Sequence, residues 1–112
     1  MPYADVKNQA GTFIKPSLES VTAAAASVAA SLPDDFRVSL TNAPGAAVYP
    51  ISGMTWLLVY EKQKDPEKGQ KLVQFLNWML HEGQKYAADL HYAPLPKDVI
   101  AKEELAVSRV TY

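Results

Sequence analysis

The most hydrophobic stretch of the chain runs from Met54 to Tyr60, where nearly every residue is apolar, aromatic or β-branched. Pro50 and Gly53 precede this stretch, and charged residues follow it. A short, continuous apolar run with such boundaries is typical of a strand that is covered on both faces of a sheet. We therefore predict a buried strand here, against which the rest of the chain packs.

A long amphipathic helix is predicted directly after this strand. Asp65 is a favourable N-cap, Pro66 stands at the first helical position, and Glu67 suits the positive end of the helix dipole. The apolar residues that follow recur at helical spacing as far as Leu90. Gly83 lies within this stripe and indicates a close contact or a bend. The stripe consists of Leu72, Phe75, Leu76, Met79, Gly83, Tyr86, Ala87 and Leu90.

Two further helices are predicted from capping residues and composition. The first spans residues 18–31, is capped by Ser17 and is rich in alanine. Alanine combines the highest helix propensity with little area to bury, so we expect this helix to pack closely against a flat surface. A C-terminal helix is predicted from Lys97 to about Val107, followed by a loose tail to Tyr112.

The remaining periodic segments are short. Residues 36–41 alternate, with Phe36, Val38 and Leu40 on one side, which predicts a half-buried strand. Residues 12–15 are predicted to form a weak strand, residues 1–11 the frayed end of a helix, and residues 42–45 a turn. Strands combined with helices in one chain of 112 residues indicate an α/β fold that forms a single domain over residues 1–112.

Composition narrows the possible functions. The net charge is −1 and no basic face is evident, so nucleic acid is not an expected partner. The absence of cysteine excludes disulfides, thiolate metal sites and cysteine nucleophiles. No stretch reaches the roughly 18 apolar residues of a membrane span. The first residues lack a basic region followed by an apolar run, so no signal peptide is expected.

The residues that most often carry catalysis or metals are few and scattered. His81 and His91 are interpreted as surface residues, because no cluster of His, Asp or Glu has a metal-ligand spacing. The acidic pairs at 34–35 and 103–104 indicate a turn and a solvated helix face. A diluted basic cluster is interpreted as a solvated turn; it comprises Lys62, Lys64, Lys68 and Lys71. We therefore expect neither an enzyme nor a cofactor or metal.

One polar cluster has the composition of an anion site. Ser52, Gly53 and Thr55 stand just before the apolar stretch. Hydroxyl groups and backbone N–H groups at such a position can bind an oxyanion. A tight entry into the strand explains the same residues without any ligand, and the sequence favours that interpretation. The two alternatives stay open at this point.

Several uncommon motifs follow one another along residues 3–105. In order, they are Ala10-Gly11-x-Phe13-x-Lys15-Pro16-Ser17, Tyr49-Pro50-Ile51-Ser52-Gly53-x-Thr55-Trp56-Leu57-Leu58-Val59, Lys62-Gln63-x-Asp65-Pro66-x-Lys68-Gly69, Phe75-Leu76-x-Trp78, Glu82-Gly83-Gln84-Lys85-Tyr86-Ala87 and Leu90-x-Tyr92-Ala93-Pro94-Leu95-Pro96. Together they resemble the periplasmic phosphate-binding proteins of bacterial phosphate ABC transporters. The resemblance implies the C-terminal third of a two-lobed, type II periplasmic-binding-protein-like fold.

The same resemblance implies a function and its limits. In that family, hydroxyl groups, backbone N–H groups, an Arg and an Asp hold phosphate, and they come from segments upstream of the matching part. Arg37 and Ser52 are chemically suitable but match no ligand motif of the family. We therefore expect a partial, periplasmic, solute-binding chain that works with ABC transporter membrane subunits. It would bind phosphate only if another chain supplied the missing lobe segments.

A second interpretation is a small, stand-alone interaction module that dimerises or docks on a partner without binding an anion. A strand as apolar as residues 54–60 needs neighbours on both edges, and the chain offers few. The exposed edge and apolar area would then favour a homo-oligomer.

Overall fold

The computed structural model describes residues 3–112. Its helices are α1 (Leu18–Val28), α2 (Pro66–Leu80) and α3 (Lys97–Val107), and its strands are β1 (Val6–Lys7) and β2 (Phe13–Ile14). The two strands pair antiparallel, with Val6 opposite Ile14. Short 3-10 helices cover Ala29–Ser31, Glu82–Tyr86 and Ala88–Leu90. This mixture of helices and a small sheet is compatible with part of an α/β lobe.

The predicted helix starts are confirmed by their capping hydrogen bonds. The backbone N–H of Ser20 donates to the Ser17 hydroxyl at 3.1 Å, and the Ser17 N–H donates back to the Ser20 hydroxyl at 3.0 Å. Asp65 accepts a hydrogen bond from the N–H of Lys68 at 3.1 Å. These local bonds satisfy donors that a helix leaves free at its first turn, which is why the chain enters each helix there.

The apolar side chains form three small clusters. Ala24 is completely buried and lies in the first cluster, so the alanine-rich face of α1 packs closely as predicted. Within residues 3–112 no helix is long and apolar enough to cross a membrane. The buried members are Ala24, Ala25, Val28, Leu40, Ala43 and Val48 in the first cluster, Ala29, Leu32 and Val99 in the second, and Leu76, Leu80 and Val107 in the third.

The prediction of a buried strand over residues 54–60 is wrong. The segment has no regular secondary structure, and Leu58 is 97% exposed, Tyr60 85% and Leu57 61%. None of its backbone N–H groups donates to another backbone group within the part of the chain that the structure describes. A covered strand needs neighbours on both edges, and the only ladder in that part, β1–β2, lies elsewhere.

The prediction for residues 36–41 is right about burial and wrong about the strand. Leu40 is buried and Phe36 and Val38 are half-buried, whereas Arg37 and Ser39 are exposed. Phe36 adopts the left-handed region, with φ of 57°, so the segment does not begin in an extended conformation. The alternation therefore correctly predicts which side chains face the core, although the segment does not pair with a neighbouring strand.

The N-terminal region is a hairpin, so the prediction of a frayed helix end is wrong for the residues that the structure describes. The Asn8 N–H donates to the Thr12 carbonyl at 2.9 Å, and Gly11 takes a φ of 85° that suits glycine. Met1 and Pro2 lie outside the described residues.

Helix α2 ends at Leu80, so the predicted continuation to Leu90 is wrong in its conformation. The His81 N–H bonds to the Trp78 carbonyl at 3.2 Å, and 3-10 turns follow. A methyl group on Gly83 would lie 3.2 Å from Trp78, which confirms the predicted close contact at this glycine.

The C-terminal tail is held in place, so the prediction of a loose tail is wrong. The Thr111 N–H donates to the Glu61 carbonyl at 2.7 Å, and the Gln63 N–H donates to the Thr111 carbonyl at 2.9 Å. Gly69 makes room for this arrangement, because a methyl group there would lie 2.5 Å from the Cβ of Tyr112. The tail thus adds a parallel bridge beside the start of α2.

Candidate functional site

An open groove of about 860 Å³ lies between α1, residues 53–56 and the region after α2. We call it the apolar groove. Within it, the Trp78 ring stacks on Phe75 at a centroid distance of 5.9 Å and on Tyr86 at 6.1 Å. Side chains from α1, from residues 53–56 and from the region after α2 complete its walls; the principal ones are Trp56, Phe75, Trp78, Tyr86, Leu90 and Tyr92.

Two polar side chains fix the wall that follows α2. The Gln84 amide donates to the Met79 carbonyl at 2.9 Å and accepts from the Leu95 N–H at 2.8 Å. The Thr22 hydroxyl donates to the Pro94 carbonyl at 2.9 Å and so ties α1 to the same wall. Sequence reasoning missed both residues, because a single polar residue within a helical or turn segment carries no periodic signal.

The three residues predicted as an oxyanion site do not all line the same surface in the structure. Gly53 and Thr55 line the apolar groove, whereas Ser52 lies outside its lining. Ser52 is buried, and its hydroxyl donates to the Tyr49 carbonyl at 2.8 Å. The Ser52 hydroxyl proton therefore takes part in a hydrogen bond within a turn. This agrees with the interpretation of these residues as a tight turn that binds no ligand. Oxyanion binding by this cluster stays a prediction.

The charged residues form exposed pairs. The Arg37 Nε lies 2.8 Å from the Asp35 carboxylate, and hydrogen bonds from the Arg37 N–H and guanidinium hold the pKa of Asp35 below its usual value. Lys71 pairs with Glu67 at 2.7 Å, so this part of the basic cluster is a solvated helix face. Such surface pairs contribute little stability.

The histidines are exposed, as predicted. The Nε2 atom of His81 lies 2.8 Å from the Glu104 carboxylate, which links the end of α2 to α3. Across residues 3–112 no group of three or more His, Asp or Glu residues is arranged to hold a metal ion.

Glu103 departs from the predicted solvated face. It is half-buried in the wall of the apolar groove, and this burial raises the pKa of its carboxyl group above 4.5. Burial disfavours the charged form of a carboxyl group. Glu103 therefore carries an electrostatic cost in the folded chain at neutral pH.

Replacing Glu103 by glutamine is expected to stabilise the chain at pH 7 but not near pH 4. A carboxyl group whose pKa is higher in the folded than in the unfolded chain favours folding when protonated, and this contribution is lost as the pH rises above 4.5. Urea unfolding at both pH values checks the expectation. Glu61→Gln, at a carboxylate that is 76% exposed, is the control. A Glu103→Gln effect that is equal at both pH values would contradict it.

The chain is similar, along most of its length, to a part of the phosphate-binding proteins, which confirms the resemblance seen in its motifs. These relatives are named phosphate-binding protein PstS. The identity is 36% with the protein from Xylella fastidiosa (strain 9a5c), 40% with that from Methanocaldococcus jannaschii and 33% with that from Pasteurella multocida. No protein-family model matches the chain.

These matches cover most of this chain but only a small part of each relative. They cover 93%, 88% and 91% of this chain but only 29%, 28% and 30% of the respective relatives. The chain thus spans about three tenths of the length of the phosphate-binding proteins that it matches, and it corresponds to a partial region of them.

Proposed function

We propose that this chain is part of the phosphate-binding component of an ABC importer, acting in the periplasm beside the transporter's membrane subunits and without enzymatic activity. The observation that carries the proposal is the 36% identity over 104 residues to a phosphate-binding protein. We propose in addition that these residues correspond to the C-terminal third of a two-lobed binding protein, and the order of the motifs supports this placement.

We further propose that residues 1–112 do not bind phosphate on their own. Phosphate sites combine several convergent donors, such as bidentate Arg and backbone N–H groups, in a closed cleft. Here Arg37 is exposed and paired with Asp35, and Ser52 donates to a backbone carbonyl. The apolar groove is walled mainly by aromatic and aliphatic side chains. These features support a site completed by groups from another polypeptide.

A chimaera tests the first proposal. The matching region of the Xylella fastidiosa relative is replaced by this chain, and phosphate binding is measured by isothermal titration, with sulfate as the control anion. We expect the chimaera to bind phosphate within about tenfold of the relative's affinity. A chimaera that folds cooperatively but binds no phosphate would contradict a role as part of a phosphate-binding component.

The same titration on the chain alone tests the second proposal. We expect no binding heat with phosphate or with sulfate. Micromolar binding of phosphate by the chain alone would show that a site exists within residues 1–112. That result would leave the first proposal standing and overturn the second.

An interaction module that binds no anion is the second candidate function. The exposed apolar segment at residues 54–60 favours it, because such a patch on a small chain marks a surface for association. The chimaera separates the two functions, since a pure interaction module would not restore phosphate binding.

A further inference from the structure

Three segments of the chain meet at Gly69, near the start of α2. Gly69 is buried, and a Cβ atom there would lie 2.5 Å from the Cβ of Tyr112 and 2.9 Å from the Cβ of Gln63. Both neighbours are atoms attached directly to the backbone, so they cannot move away by a change of rotamer. Glycine is therefore what allows residues 61–63 and residues 110–112 to approach the helix this closely.

Residues 110–112, which we call the strap, are bonded to residues 61–63 through Thr111. The Thr111 N–H donates to the Glu61 carbonyl at 2.7 Å, and the Thr111 carbonyl accepts from the Gln63 N–H at 2.9 Å. The Thr111 hydroxyl also donates to the Glu61 carbonyl, at 3.2 Å. Because all three bonds involve one residue, displacing Thr111 breaks them together.

The strap acts at the junction between the apolar segment of residues 54–60 and α2. The side-chain amide of Gln63 donates to the Tyr60 carbonyl, so the residues that the strap holds also contact the end of that segment. Just before the strap, the Arg109 Nε lies 3.9 Å from the Glu61 carboxylate, and this attraction acts in the same direction. Both sides of each contact lie within residues 3–112.

The strap is held less firmly than the helix that precedes it. Val99 and Val107 of α3 are buried members of the apolar clusters, whereas none of residues 110–112 is. Segments with few buried apolar contacts and exposed hydrogen bonds open locally at a lower free energy than the core. The strap therefore has the features of a unit that can open while the helices stay folded.

We propose that the strap opens and closes as one unit against residues 61–63, and that Gly69 provides the space into which it closes. In the closed state the strap fixes the junction between the apolar segment and α2. In the open state the Gln63 N–H and the Glu61 carbonyl are released to water. A Cβ atom at position 69 favours the open state, because it takes the space that Tyr112 needs.

Hydrogen exchange followed by NMR tests the opening in the parent chain. The amides of Thr111 and Gln63 are expected to exchange at a common protection factor, since one opening event releases both. That protection is expected to be lower than that of the amides in the middle of α1 by at least about tenfold. Protection as high as in α1, or unequal protection at the two amides, overturns the proposal.

Two single variants test the role of Gly69 and of Thr111. Thr111→Pro removes one N–H of the bridge, and Gly69→Ala fills the space of the strap; each is expected to speed exchange at Gln63 by about tenfold and to leave α1 unchanged. Alanine normally stabilises a helix relative to glycine, so helix propensity alone predicts no such loss. Unchanged exchange at Gln63 in either variant overturns the proposal.

A matched control and a double variant complete the experiment. Gln74→Ala, at an exposed position of the same helix, is expected to change exchange at Gln63 by less than about twofold. In the presence of Thr111→Pro, Gly69→Ala is expected to cause no further change, because the strap is already open. Effects of the two substitutions that multiply would show that they act separately and would overturn the proposal.

Discussion

Replacing Asn8 by alanine is expected to lower the free energy of unfolding by about 2–4 kcal/mol. The Asn8 amide nitrogen lies 3.1, 3.0 and 3.1 Å from the carbonyl oxygens of Gly45, Ala46 and Val48, and its carbonyl oxygen accepts from the Thr12 N–H at 3.0 Å. The side chain is buried, so alanine would remove all of these contacts and leave the carbonyl group of the buried Val48 without a partner. One residue thus fastens the N-terminal hairpin to the loop before the apolar segment.

Urea unfolding, followed by circular dichroism, measures this effect. Gln9→Ala is the matched control, because Gln9 lies in the same turn and is exposed. We expect the control to stay within about 0.5 kcal/mol of the parent chain. Asn8→Ala unfolding at the same urea concentration as Gln9→Ala would show that the amide contacts add no stability.

Replacing Val99 by aspartate is expected to lower the free energy of unfolding by at least about 3 kcal/mol. Val99 exposes only 1% of its surface and packs with Ala29 and Leu32, so a carboxylate there would lie among apolar groups. A domain of this kind has a total stability of about 5–15 kcal/mol. The variant should therefore be largely unfolded or reach its unfolding midpoint at a much lower urea concentration.

Two further variants make this expectation measurable even if the first fails to fold. Val99→Ala removes buried methyl groups without introducing charge and is expected to cost about 1–2.5 kcal/mol. Leu105→Asp adds the same charge on the same helix at a position that is 70% exposed, and it should change stability by less than about 0.5 kcal/mol. Equal effects at positions 99 and 105 would contradict the assignment of Val99 to the core.

The helices could be predicted from sequence because their signals are local. Ser17, Asp65 and Pro66 act within the first helical turn, through hydrogen bonds and a backbone angle that need no distant partner. The bounds of α3 were also predicted, although no side-chain hydrogen bond caps its start. The end of α2 was not, because the apolar stripe continues past Leu80 into 3-10 turns whose side chains lie at similar spacing.

The short strand predicted at residues 12–15 is confirmed by β2, but the other two strand predictions failed because a strand needs a neighbour. Hydrophobic alternation correctly predicted that Leu40 is buried and Arg37 exposed, but alternation says nothing about which backbone will pair. The apolar run at residues 54–60 carries the composition of a covered strand, yet within residues 3–112 it has no ladder to join.

The candidate site was predictable only in part. Gly53 and Thr55 do line a groove, but the buried hydroxyl of Ser52 serves a turn. The hydrogen bonds of Asn8 and Gln84, which organise the structure around the first cluster and the groove, were not predicted. The only sequence signal for Asn8 is the turn composition of residues 8–11, and it does not reveal the distant carbonyl groups that the amide contacts.

The two tryptophans lie at the surface around the apolar groove, so their intrinsic fluorescence can report on changes at that surface. Trp78 is flanked by the rings of Phe75 and Tyr86, whereas Trp56 is 48% exposed and belongs to the apolar segment of residues 54–60. The fluorescence of an indole moves to shorter wavelength when water leaves its surroundings. Trp78→Phe would leave Trp56 as the only tryptophan. Its emission, excited where tyrosine does not absorb, would then shift to shorter wavelength when this surface is covered.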